Sequence, residues 1–253
     1  MDKYITNFDT TSQLQSFSAT TEFKMPHVSL TKNDGDIHYF YDPYASHNYV
    51  NIGGVRWATM NVGATTVTDT GLYFQWGDTS GYTAAQVGSG SGKKYFGWAD
   101  YKYGNGTSSP GATGMTKYNA TDGMTVLRNE DNSAYAGFGG LWRMPTTEEF
   151  VALGNAVNTA WTASYQGSGV SGLVCTDKTD SSKVLFFPAA GYCVNGSVRS
   201  VGSYGYYWSS SLRSDDVQEA YGLYFRSYYA LWKDLYSRYF GFPVRPVIVF
   251  REN

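Results

Sequence analysis

The chain has 253 residues, with 19 Lys or Arg against 21 Asp or Glu. This near-neutral balance, without a basic run, disfavours nucleic acid as a partner, because affinity for the phosphate backbone depends on Lys and Arg. No run approaches the ~18 apolar residues of a membrane helix, and the first residues lack the pattern of a secretory signal. The length fits one large domain with an extension, or two small domains.

Residues 1–48 are polar and hold all three histidines, His27, His38 and His47. Two short strands around an Asp34-Gly35 turn are predicted here. The histidine spacing fits no compact metal motif, so we predict no metal and interpret these side chains as solvated or packed. We expect the segment to be an attachment or assembly arm.

The composition changes at Tyr49, where a second region, 49–253, begins. Residues 50–60 alternate apolar and polar side chains around a Gly-Gly pair, which predicts a hairpin. Residues 71–78 are predicted as an aromatic strand. Residues 80–135 are rich in Gly, Ser, Thr and Tyr, which favours long surface loops.

One helix is clearly signalled after residue 145. Thr146 and Glu149 have the spacing of a capping box, in which each side chain satisfies a free amide of the first turn. Phe150, Leu153 and Val157 then fall on one face, which we expect to pack on the sheet.

Four further apolar runs predict strands. Residues 173–175 and 183–188 are expected to be buried, and residues 206–211 and 220–226 follow them. Residues 242–250 are predicted as a central or closing strand, although two prolines restrict which edge can pair.

The residue types needed for several kinds of catalysis are missing. The region from Tyr49 onward contains no His, so neither a Ser-His-Asp nor a Cys-His arrangement is available. Cys175 and Cys193 are interpreted as buried free thiols, with a bridge between neighbouring strands as the alternative. The adjacent carboxylates Asp215 and Asp216 lie on a loop, where such pairs seldom bind a cation. We therefore predict no enzyme activity, metal or cofactor.

Residues 204–242 form a Tyr-rich segment. Of its 39 residues 14 are aromatic, against 30 of the other 214. Tyr, Ser, Gly and Arg together resemble an antibody-like paratope, since Tyr offers contact area at little entropic cost. A Tyr-rich core explains only part of the set, because strand alternation turns some rings outward, where exposed aromatics indicate binding.

Six motifs, taken in order over roughly residues 49–250, resemble a known family. They are VNIGGVRWA (50–58), GLYFQWGD (71–78), LWRMPT (141–146), FPAAGY (187–192), YWSSS (207–211) and GFPVRPV (241–247). The set is similar to the major paralogous (FISUMP-like) domain, of the formylglycine-generating-enzyme type of C-type lectin fold. The resemblance implies an α+β fold with a small twisted, mostly antiparallel sheet, one or two helices and long loops.

Within that family the chain is similar to variable proteins of diversity-generating retroelements in gut bacteria and their phages. In such proteins adenine-directed mutagenesis rewrites Asn codons, and this chain has no Asn between Asn195 and Asn253. The resemblance implies a variable, ligand-binding face at positions reachable from an AAC codon by changing only adenines. These positions are Tyr204, Tyr206, Arg213, Asp216, Gly222, Tyr224, Arg226, Tyr228, Leu231, Asp234, Leu235, Tyr236, Tyr239 and Phe240.

The resemblance implies a receptor-binding or adhesin-like protein of a phage virion, in a tail or fibre assembled in the host cytoplasm, or alternatively of a bacterial surface. Its partners would be a protein or glycan receptor on a bacterial surface and, through the arm, phage components. Oligomeric state stays open. Two alternatives remain: a sulfatase-modifying oxidase of the same fold, and a non-variable structural domain of a phage.

Overall fold

The computed structural model describes residues 28–33, 36–41 and 47–248. The chain divides into two compact units, Met1–Ala45 and Ser46–Asn253. The roles predicted for the arm and for the region after it stay predictions.

The first unit contains an antiparallel hairpin of β1 (Val28–Asn33) and β2 (Asp36–Tyr41). This confirms the two predicted strands. The turn residues 34 and 35 lie outside the described residues, as does His27.

The described part of the second unit is a mixed α+β structure, with mostly antiparallel strands in small sheets and few helices. The helices are α1 (Ser133–Phe138) and α2 (Thr147–Ala156). None of the helices described here is long and apolar enough to cross a membrane. The strands are β3 (Tyr49–Ile52), β4 (Val55–Ala58), β5 (Val157–Thr162), β6 (Gly172–Asp177), β7 (Val184–Pro188), β8 (Tyr192–Val194), β9 (Ser197–Arg199), β10 (Tyr204–Leu212), β11 (Glu219–Arg226), β12 (Tyr229–Ser237) and β13 (Val247–Ile248).

These strands form three-stranded sheets of order β13-β4-β3, β5-β6-β7 and β10-β11-β12, and the pair β8-β9. The predicted hairpin at the Gly-Gly pair is confirmed as β3 and β4. The predicted buried strands before Pro188 are confirmed as β6 and β7.

The strand predicted over residues 71–78 is wrong. Tyr73 and Phe74 make only isolated bridges, to Tyr82 and Phe242, and the amide of Trp76 donates to the carbonyl of Arg238. The aromatic side chains here are buried, and the backbone bonds to several different segments. The stretch therefore has no single partner strand.

The capping box of α2 is confirmed. Thr146 Oγ1 accepts from the amide of Glu149 at 3.3 Å, and the Glu149 carboxylate accepts from the amide of Thr146 at 2.8 Å. Phe150 and Leu153 are buried as predicted. Val157 is buried too, but it already begins β5.

Helix α2 lies directly against the sheet β10-β11-β12. A Cβ added to Gly154 would lie 2.5 Å from the indole of Trp232, so only glycine permits this approach. The core behind this sheet includes Trp57, Phe150 and Phe225. One face of the sheet is therefore closed by the helix and the rest of the domain.

A second core lies on the other side of β10. The indole of Trp208 donates to the carbonyl of Phe74, and the indole of Trp76 donates to the carbonyl of Ser209, both at 2.9 Å. Both indoles are fully buried. These two bonds fasten the loop segment around residue 75 to β10.

Two fully buried arginines tie loops to strands through neutral oxygens. Burial lowers the pKa of Arg245 to about 10, so it stays charged at neutral pH. A buried charge is tolerated where hydrogen bonds replace its lost hydration, and each of these guanidinium groups makes four. Arg238 donates to Tyr101 Oη and to the carbonyls of Lys117, Tyr118 and Val217, and Arg245 donates to Asn61 Oδ1 and to the carbonyls of Ala58, Thr59 and Phe186.

A buried carboxylate organises the long loops. Asp131, 3% exposed, accepts from Lys117, Tyr103 and Tyr118, and pairs with Lys102 at 3.3 Å. Burial alone would raise the pKa of this carboxyl, but these bonds outweigh it and hold the pKa at about 2.

We expect Asp131→Asn to lower the free energy of unfolding at pH 7 by about 2.5 kcal/mol, the value of a carboxyl pKa held ~2 units below normal. A depressed folded pKa stabilises above the unfolded pKa, so the difference should fade as the pH falls from about 4 to about 2. Urea titration across this range measures it. Glu130→Gln, at an exposed neighbour that also contacts Lys117, is the control and should change little. An equal loss at pH 2 and pH 7 would contradict the argument.

Candidate ligand-binding face

The Tyr-rich segment folds mainly into the sheet β10-β11-β12. Tyr204 pairs with Arg226, and Tyr206 with Tyr224, so these four side chains share one face. The predicted alternation along β11 is therefore correct. The opposite face, which includes Leu223, packs into the core against α2.

The chain after Tyr228, for which the sequence patterns predict no strand, forms the strand β12. Gly222 pairs with Asp234 and Tyr224 with Leu231, so two residues of β12 lie opposite the single Leu223. This β-bulge breaks the two-residue period, which is why alternation did not predict a strand. Its effect is to put Leu231 and Asp234, three residues apart, on the face of Tyr224.

Five tyrosines from the three strands form a continuous ring network. The centroid of Tyr206 lies 5.0 Å from that of Tyr224 and 5.3 Å from that of Tyr236. Tyr224 lies 5.9 Å from Tyr204 and 5.6 Å from Tyr229. We call this surface, with the residues that extend it, the aromatic face.

Four residues from other parts of the fold extend the aromatic face. Tyr192 of β8 lies 4.8 Å from Tyr206 and 5.8 Å from Phe240. Tyr239 lies 4.8 Å from both Phe240 and Trp98. Tyr192, Trp98 and Tyr229 are not among the predicted positions. Tyr192 and Trp98 lie outside the Tyr-rich segment, so only the fold brings them here, and Tyr229 lies within that segment but outside the predicted variable set.

The aromatic face rests on a buried floor. Phe242 stacks on Trp208 at 4.2 Å, and it contacts Tyr206 at 5.2 Å and Tyr236 at 5.0 Å. Trp208 and Tyr206 lie on the same side of β10. This side is therefore core at one end of the strand and surface at the other.

Exposure rises toward the turn between β11 and β12. Tyr224 is only 8% exposed, while Tyr229 is 36%, Leu231 42% and Tyr228 70% exposed. Tyr204 is half-buried. A partner would therefore touch the turn first and the inner rings by their edges.

Three of the fourteen predicted positions lie away from the aromatic face. Arg213 and Asp216 are in the loop at the far end of the sheet, where Arg213 pairs with Asp215 at 2.8 Å and with Glu219 at 2.7 Å. Leu235 pairs with Tyr221, on the helix side. The structure brings the other eleven together: Tyr204, Tyr206, Gly222, Tyr224, Arg226, Tyr228, Leu231, Asp234, Tyr236, Tyr239 and Phe240.

Three inner phenols of the aromatic face have raised pKa values and are neutral at physiological pH. Burial raises the pKa of Tyr224 to about 12 and raises that of Tyr206. Burial, and then the neighbouring Asp234 carboxylate, raises the pKa of Tyr236, whose hydroxyl donates to that carboxylate. Arg226 is the cation of this surface.

In the described part of the chain, the histidines, cysteines and carboxylates do not come together in a site. His47 stacks on Phe138, with ring centroids 3.7 Å apart. Cys175 and Cys193 are buried and free, which confirms the thiol interpretation, and burial raises the pKa of both. Within the described residues no three His, Cys, Asp or Glu side chains form a group that could hold a metal ion.

A family described as a domain of unknown function (DUF8237) matches residues 175–247. This span runs from β6 to β13 and includes all of the sheet β10-β11-β12. No curated protein and no solved structure matches the chain.

We expect Gly222, although it belongs to the predicted variable set, to resist substitution. A Cβ there would lie 2.7 Å from the carbonyl oxygen of Tyr207. Gly222→Ala should therefore cost about 1–3 kcal/mol, as overpacking does. Gly88→Ala is the control, because its Cβ would meet only the Lys93 side chain at 3.4 Å. Denaturant titration measures the stability of both variants. Equal stability would contradict the prediction, because it would show that the backbone of β11 shifts to accommodate a side chain at position 222.

Proposed function

We propose that this chain is a ligand-binding variable protein, which displays a diversified aromatic face on a fixed scaffold. The observation that carries the proposal is the ring network from Tyr204 to Trp98. It crosses three strands and continues onto two further segments, and it is open to solvent at the β11–β12 turn.

The physics of recognition supports this use. A Tyr ring loses few rotamers on binding and offers an apolar body with a polar tip. In the aromatic face the inner rings are already held by edge-to-face contacts, so ordering them costs a partner little. In protein interfaces, aromatic residues that are already ordered before binding often contribute most of the binding free energy.

The scaffold is separate from most of the variable positions. The motif residues that carry the family resemblance lie in the core: Trp57, Trp208, Phe242 and Arg245 are at most 1% exposed. The most exposed of the predicted variable positions, Tyr228 and Leu231, lie at or beside the β11–β12 turn. Changes there would leave the buried contacts in place.

On these grounds we assign the second unit to the C-type lectin fold of the formylglycine-generating-enzyme type, as a retroelement variable protein. The proposed partner is a protein or glycan receptor on a bacterial surface. The chain would act on a phage tail or fibre, attached through residues 1–48, or on a bacterial surface.

The alternative of a sulfatase-modifying oxidase gains no support from the cysteines. Cys175 packs in the core behind the sheet, whereas Cys193 belongs to a separate cluster with Tyr73 and Phe96. Both thiols are completely shielded from solvent. A reactive cysteine needs a lowered pKa and access, and these two have neither.

The retroelement origin predicts a second copy of the coding segment for residues 204–242 near the gene. In that copy, Asn codons should stand where this chain has aromatic-face residues such as Tyr204, Tyr228 and Tyr239, and a reverse transcriptase gene should lie beside it. Sequencing the flanking DNA tests this. A flank with neither feature, or a copy that differs at bases other than adenine, would contradict the assignment.

Binding through the aromatic face predicts that Tyr228→Ser, Tyr229→Ser and Leu231→Asn together abolish adhesion of the fluorescent protein to intact bacterial cells. The three side chains are exposed, so stability should change by only about 0.5 kcal/mol per site. The measurement is flow cytometry over a panel of gut strains.

The matched control replaces the same residue types elsewhere on the surface. Tyr95→Ser, Tyr135→Ser and Leu141→Asn change side chains 44%, 39% and 58% exposed. This variant should bind as the unchanged protein does. If both triple variants lose adhesion, or neither does, the aromatic face is not the binding surface.

A further inference from the structure

A small cavity opens beside the β11–β12 turn, at the edge of the aromatic face. Its volume is about 110 Å³, and its walls come from the turn and from the neighbouring sheet, including Arg226, Tyr228, Thr159 and Trp161. It is large enough for one functional group of a ligand, and its lining is more polar than apolar, which suits a polar or charged group.

Arg226 has no carboxylate partner among the described residues, unlike Arg143 and Arg213. Arg143 pairs with Glu149 at 2.6 Å, and Arg213 pairs with two carboxylates. The buried Arg238 and Arg245 are instead satisfied by neutral oxygens. The positive charge of Arg226 is therefore available to pair with an anionic group of a ligand.

The guanidinium of Arg226 is nevertheless held in place. Its central carbon lies 4.2 Å from the ring centroid of Tyr228 and 4.3 Å from that of Tyr229, and the Tyr204 side chain interacts with it. These cation–π contacts fix the plane of the group. A positioned guanidinium needs little further ordering when a ligand binds.

One edge of this guanidinium is unsatisfied. Arg226 Nε is shielded from solvent and has no hydrogen-bond partner, and it is the only charged group among the buried side-chain nitrogens and oxygens without partners in the described part of the chain. A buried unpaired donor is costly. The Nε edge of a guanidinium matches a carboxylate, which can accept two parallel bonds from it.

We propose that this cavity is a subsite for a carboxylate group of the ligand, bound side-on by Arg226 between the Tyr228 and Tyr229 rings. The inference rests on the proposed function, because it names the chemistry of one part of the same surface. The strongly exposed Tyr228 is the side chain that can turn to admit the group, while Thr159 and Trp161 form the far wall. The carboxylate belongs to an acidic sugar or to a peptide C-terminus.

Two matched pairs of small probes test the proposal on the full chain. Glucuronate is compared with glucose, and N-acetylglycine with N-acetylglycinamide, by saturation-transfer NMR at millimolar concentration. In each pair, the acid carries a carboxylate where its analogue carries a neutral group. We expect at least one acid to bind roughly tenfold more tightly than its neutral analogue, as charge-assisted bidentate bonds allow.

Arg226→Gln should remove this preference, and Arg226→Lys should keep only part of it, since an ammonium cannot form the fork. The control is Arg199→Gln, on the exposed end of β9, which should leave the preference unchanged. Preference for glucuronate alone indicates an acidic sugar, and preference for N-acetylglycine alone indicates a C-terminus.

Equal binding of acid and neutral analogue in both pairs, no binding of any probe, or a preference that survives Arg226→Gln would overturn the proposal. These outcomes concern the cavity only. Loss or retention of cell adhesion in the triple variant concerns the whole aromatic face, so the failure of one proposal is distinguishable from the failure of the other.

Discussion

The stack of Phe242 on Trp208 supports the rest of the face. Trp208 is fixed from below by its bond to the carbonyl of Phe74, and Phe242 bridges to the same residue through its backbone. Tyr206 and Tyr236 then rest on Phe242. Displacing this pair would remove the buried support of the inner rings, so the geometry of the aromatic face depends on a contact that lies beneath it.

Because of this arrangement, burial differs across the aromatic face. Tyr206 and Tyr236 pack partly against the core, so changing them alters packing as well as the surface. Tyr228 and Leu231 have little packing to lose. Substitutions should therefore cost least stability at the β11–β12 turn and more toward Phe242. Burial therefore increases along the strands, from the turn toward Phe242. Alternation alone would predict one fully exposed side of the sheet and one fully buried side.

The sequence predicted local features well and long-range ones poorly. The capping box at Thr146 and the pairing face of β11 follow from short-range rules, and both are found. Strand β12 was missed because its bulge removes the period that alternation depends on. Tyr192 and Trp98 could not be found at all, since nothing in their local pattern marks them. Their place in the aromatic face is set by which segments the fold brings together.

Gly222 shows why a position can fit a mutational pattern without being free to vary. Its codon class places it in the variable set, and its register places it on the right face. Yet the carbonyl of Tyr207 occupies the space that a side chain would need. That carbonyl belongs to β10, and Gly222 lies where the pairing of β11 becomes irregular with both of its neighbours, β10 and β12. The backbone of the neighbouring strand therefore restricts a central position of the aromatic face to glycine, whatever its codon would allow.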